Sequence, residues 1–132
     1  MASTESVYRS LITELKEISL LSSVGSVLGW DERTQMPARG ATHRGDQVAM
    51  LATLIHQRFT SPKIGEWLSQ LESEPLDDDA KANVRETRRE YDREVKIPQS
   101  LVQEEAKLAV MGQQAWAEAR KKSDFPAFAP WL

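Results

Sequence analysis

Apolar residues in this chain recur at spacings of three and four along nearly its whole length. That period, set by 3.6 residues per turn, points to helices almost throughout. Val7, Leu11, Leu15, Ile18, Leu21 and Val24 form the first such stripe. Runs of β-branched residues are absent, and six glycines and six prolines leave few places to turn. The expected fold is all-α, with five to six helices built as a bundle or as hairpins.

The first helix is expected from Thr4 to about Leu28, broken by Gly29 and by the stretch Thr34 to Gly40, where Pro37 drives Met36 extended. A second runs from Ala41 to Phe59 with Val48, Leu51, Leu54 and Ile55 inward. Ser61 reads as an N-cap with Pro62 in the first turn, opening a short helix through Ile64, Trp67, Leu68 and Leu71. Asp77, Asp78 and Asp79 favour the start of a charged helix to about Lys96, with a thin apolar face of Ala80, Val84, Tyr91 and Val95. Asp77/Lys81, Glu86/Arg89, Glu90/Arg93 and Asp92/Lys96 have ion-pair spacing on it. Pro98 begins a helix carrying Leu101, Leu108, Ala115, Trp116 and Ala119 and ending in Arg120, Lys121 and Lys122. Asp124 or Ser123 then caps a last helix. Its apolar Phe125, Phe128, Trp131 and Leu132 have nothing after them to provide cover, which suggests truncation.

Composition narrows the function. Forty per cent hydrophobic and 28% charged residues describe a globular chain. Seventeen basic and 20 acidic side chains, net charge −3, supply no field to draw nucleic acid or anionic lipid. The basic series Lys81, Arg85, Arg88 or Arg89, and Arg93 is interleaved with Glu86, Glu90, Asp92 and Glu94 without an aromatic ladder, so it reads as a solvated face. Without cysteine there are no disulfides or thiolate metal sites. The uncharged stretch Ile18 to Trp30 is shorter than the roughly 20 residues a membrane span needs and holds Ser22, Ser23 and Ser26. It reads as a helix buried on most sides. Met1 to Ser10 lacks the basic and apolar segments of a secretory leader, and the expected location is the cytoplasm.

Catalytic candidates are few. His43 and His56 lie thirteen residues apart, outside any His-Glu-x-x-His arrangement and without a local third ligand, so each is given a structural or surface role. There is no Gly-x-Ser-x-Gly elbow and no phosphate-cradling glycine loop. Asp31 and Glu32 are neighbours, so on a helix they point apart, and Asp31 reads as a cap or as a partner for a nearby arginine. No catalytic and no metal-binding residue is expected in this chain. One segment is more specific: Trp30-Asp31-x-x-Thr34-x-Met36-Pro37-x-x-Gly40-x-x-x-Arg44-x-x-Gln47. It can dock a loop by burying Trp30 and Met36 while Asp31 and Arg44 satisfy each other or nearby backbone.

That segment resembles the N-terminal signature of the carboxypeptidase Taq family, the thermostable zinc-dependent carboxypeptidases. Three further stretches agree in order: Leu51-Ala52-x-Leu54-x-His56, Val95-x-Ile97-Pro98-x-x-Leu101-Val102, and Trp116-x-x-Ala119-Arg120-x-x-x-Asp124-Phe125-x-x-Phe128-x-Pro130-x-Leu132. The likeness covers about Tyr8 to Leu132. It implies that residues 1–132 are the N-terminal helical lid or cleft wall of a larger, two-lobed, all-helical metallocarboxypeptidase, often a homodimer. It implies peptide substrates, and zinc or another divalent metal held by a catalytic region downstream. Trp30, Asp31, Thr34, Met36, Pro37, Gly40, Arg44, Gln47, Trp116, Arg120, Asp124, Phe125 and Phe128 are then family-motif residues with a structural or lid role. The competing reading is a stand-alone helical interaction module without enzymatic activity, which a self-contained core would favour.

Overall fold

A computed structural model describes residues 3–132, and among them it contains only helices and connections. The α-helices are α1 (Thr4–Thr34), α2 (Ala41–Phe59), α3 (Pro62–Glu72), α4 (Asp78–Glu94), α5 (Gln99–Lys122) and α6 (Phe125–Phe128), with 3-10 turns at Ala38–Gly40 and Ala129–Trp131. The chain divides into two compact units, one of residues 1–22 and 54–98, the other of residues 23–53 and 99–132. No helix is long and apolar enough to cross a membrane among the described residues.

The first unit owns a closed core. Val7, Leu11 and Ile18 on α1 meet Ile64, Leu68 and Leu71 on α3 and Val84 on α4, with Leu11, Leu68 and Leu71 wholly out of solvent. Around it, Phe59 and Tyr91 pack edge to face with centroids 6.4 Å apart. Arg58 on α2 donates to Glu14 at 2.7 Å and to Glu17 of α1. Arg88 on α4 reaches Glu72 at 2.9 Å, Ser69 at 2.9 Å and the Gly65 carbonyl at 3.3 Å, all on α3. The acidic start of α4 is real: Asp77 Oδ1 accepts from the Ala80 backbone N–H at 2.8 Å. Ser61 stands in the cap position of α3, but its hydroxyl makes no capping bond, so Pro62 carries that start alone.

Several expectations are corrected. Gly29 does not end α1; the helix continues to Thr34, because one glycine costs about 1 kcal/mol in a helix and Pro37 is the first residue that cannot continue it. On α2 the buried stripe is Ala41, Gly45, Ala49 and His56, while Val48, Leu51 and Ile55 are half-buried and Leu54 is exposed. The reason is a close approach by α5: a Cβ on Gly45 would lie 3.4 Å from Lys107 Cγ and 3.7 Å from the Lys107 carbonyl oxygen. At Gly45, therefore, α5 already occupies the space that a side chain longer than a methyl would need. Ion pairs on α4 also regroup. Glu86 meets Arg89 at 3.9 Å as its spacing predicts, whereas Lys81 approaches Asp78 at 4.0 Å and Asp92 approaches Arg88 at 3.6 Å.

In the second unit α5 buries Val110 and Ala119, and leaves Leu101, Leu108 and Trp116 about half exposed. The chain leaves α5 through Ser123, whose φ of 53° is left-handed. Asp124 then accepts from the Ala127 N–H at 3.3 Å and opens α6. Phe125 and Phe128 contact edge to face at 6.5 Å, and Trp131 comes to rest beside Gly112 on α5.

Candidate functional site

The thirteen family-motif residues gather into two places, both in the second unit. The first is the passage from α1 to α2. The last turn of α1 closes with the N–H groups of Gln35 and Met36 both donating to the Asp31 carbonyl at 2.9 Å. Thr34 Oγ1 turns back onto the Trp30 carbonyl at 2.7 Å, the side-chain-to-backbone bond that threonine offers at a helix end. Pro37 then sets an extended conformation at φ −62° and ψ 146°, and the 3-10 turn Ala38–Gly40 delivers the chain into α2. Gly40 is closely covered by Met36. A Cβ there would stand 3.1 Å from Met36 Cγ, so the half-buried Met36 lies over it.

Arg44 in the first turn of α2 ties this passage together. Its Nη2 donates to Asp31 Oδ2 at 2.6 Å, its Nη1 to the Leu28 carbonyl at 2.7 Å, and its Nε to Gln47 Oε1 at 3.0 Å. The Arg44 side chain is only 13% exposed, against 34% for Asp31. A planar guanidinium can serve a carboxylate and a carbonyl at once, which an ammonium on the same stem cannot do in fixed geometry. All three guanidinium nitrogens are engaged within the chain, so chemically this is a clamp on the α1–α2 passage. Trp30 stands apart from it. Expected to be buried in docking the loop, it is 61% exposed. It follows α1 outward, because the continuous helix places it away from the face that carries Leu28 and Asp31.

The second place is a groove of about 600 Å³ lined by Trp116, Ala119, Arg120, Ser123, Asp124, Phe125 and Phe128. It contains all five of the motif residues from the end of the chain, brought together because the Ser123 turn folds α6 back beside α5. Trp116 and Phe128 also belong to a larger neighbouring groove of about 940 Å³, with Leu101, Leu108 and Trp131, rimmed by Arg33, Glu104 and Glu105. Sequence reasoning assigned no role to Arg33, Glu104 or Glu105. The only signal for that groove was the spacing of Leu101, Leu108 and Trp116 along one helix face.

The donor set does not suit a metal. Among the described residues no group of three or more His, Asp or Glu side chains could hold an ion. His43 is exposed, while His56 is buried with Nε2 3.1 Å from the Glu94 carbonyl oxygen, an arrangement that makes Nε2 the donor. Its Nδ1 is buried without a partner among the described residues. Neither histidine is accompanied by the two further ligands a metal centre requires.

Known proteins extend this picture. Residues 10–132 match the family model of the carboxypeptidase Taq (M32) metallopeptidases. Over 132 residues the chain is 42% identical to thermostable carboxypeptidase 1 of Thermus thermophilus, covering 97% of this chain and 26% of that protein. Over 120 residues it is 34% identical to carboxypeptidase 1 of Bacillus subtilis, covering 89% of this chain and 24% of that one. Among solved structures, one described as "BsuCP Crystal Structure" superposes with a TM-score of 0.90 at 31% identity, over 95% of this chain and 26% of the other. Another, "The Structure of CHT", gives 0.70 at 34% identity over the same shares. The chain thus spans about a quarter of the length of the relatives it matches. With the family model covering 123 of the 132 positions (10 through 132), the chain belongs to the carboxypeptidase Taq (M32) metallopeptidase family.

Proposed function

We propose that this chain is the N-terminal helical part of a metallocarboxypeptidase that removes single residues from peptide C-termini, and that it shapes or covers the substrate groove without taking part in bond breaking. The observation that carries this reading is the family match over residues 10–132, together with relatives about four times as long. Zinc or another divalent metal would be held elsewhere in the full-length enzyme, by residues outside this chain.

The contribution of the chain itself is mechanical. The Arg44 clamp fixes how α1 leads into α2, and helices held at defined angles are what a groove wall needs to exclude water and orient a peptide. Peptide substrates, assembly into a homo-oligomer and a cytoplasmic location belong to the same reading.

The test compares this chain with a full-length family member carrying it. Both are assayed for bound metal by elemental analysis and for release of C-terminal amino acids from peptides. The expected result is stoichiometric metal and hydrolysis for the full-length protein and neither for the 132 residues alone. Metal binding or hydrolysis by the short chain would overturn the division of labour.

A further inference from the structure

We draw no further inference here: the strongest candidate, the groove of about 520 Å³ in the first unit lined by Leu15, Ile55 and Phe59, carries Arg93 beside Glu90 and Glu94, so its charge selects no ligand and nothing in the structure shows what covers it.

Discussion

Asp31 in the last part of α1 and Arg44 in the first turn of α2 are joined across 2.6 Å, and the same guanidinium holds the Leu28 carbonyl at 2.7 Å. The carboxylate is one-third exposed and can return to water when its partner is lost, whereas removing the largely buried arginine deletes its bonds to Asp31, Leu28 and Gln47 together. Truncating the arginine therefore costs more than neutralising the aspartate. Arg44→Ala is expected to lower stability by about 2–3 kcal/mol and Asp31→Asn by about 1 kcal/mol. Urea unfolding midpoints measure both. Equal losses would place the whole cost on the ion pair with Asp31.

Asp77 and Ser61 occupy the same position ahead of α4 and α3, yet only Asp77 bonds the helix it precedes. Asp77→Ala is expected to cost about 1 kcal/mol. Ser61→Ala should stay within about 0.5 kcal/mol, because no capping bond is removed. Thermal unfolding of the two variants separates them. A loss at Ser61 as large as that at Asp77 would mean that its hydroxyl caps α3 in solution.

The two caps illustrate what could be read from the residues alone. Helix type, the bounds of α2 and the acidic start of α4 follow from local period and side-chain chemistry, and these were legible. Which face of α2 turns inward was not. Val48, Leu51 and Leu54 outrank Ala41, Gly45 and Ala49 in hydrophobicity, yet the smaller residues are the buried ones, with Lys107 of α5 at contact distance from where a Cβ on Gly45 would stand. Contacts between positions far apart in sequence were equally silent: Arg58 with Glu14 spans 44 residues, and nothing local to either announces the other. Of the candidate residues, Asp31 and Arg44 could be paired in advance because both belonged to one short segment. Trp30 was misplaced because a glycine was credited with stopping a helix that runs on for five more residues.

Arg58 also gives the first unit a pH dependence. Its hydrogen bond holds the Glu14 carboxyl below the ordinary value of 4.5, with partial burial opposing the shift. A carboxyl depressed in the folded state contributes stability that is fully present above its unfolded value. That contribution fades as pH falls from about 4.5 through the lower native value. Glu14→Gln is therefore expected to be less stable than the parent at pH 7, with the difference shrinking toward pH 3. Urea midpoints at the two pH values measure this. A difference that stayed constant would exclude the titration of Glu14 as its cause.

Gly65 and Gly29 both lie inside helices, and the same substitution is expected to move them in opposite directions. At Gly65 a Cβ would stand 2.7 Å from the Tyr91 hydroxyl oxygen and 3.0 Å from the ring carbon that bears it. The ring is braced by Phe59 at 6.4 Å and by a hydrogen bond from its hydroxyl to the Ser61 carbonyl at 3.3 Å, so it cannot yield freely. Gly65→Ala should lose about 1–3 kcal/mol through overpacking. At Gly29 nothing lies within 4 Å of the added methyl, and the alanine lowers the entropy of the unfolded chain. Gly29→Ala should gain about 0.5–1 kcal/mol. Tyr91→Phe removes the closest contact at Gly65, so the Gly65→Ala/Tyr91→Phe double variant should lose less than the sum of its two single variants. Additive losses in that cycle would mean that the hydroxyl is not what keeps position 65 a glycine.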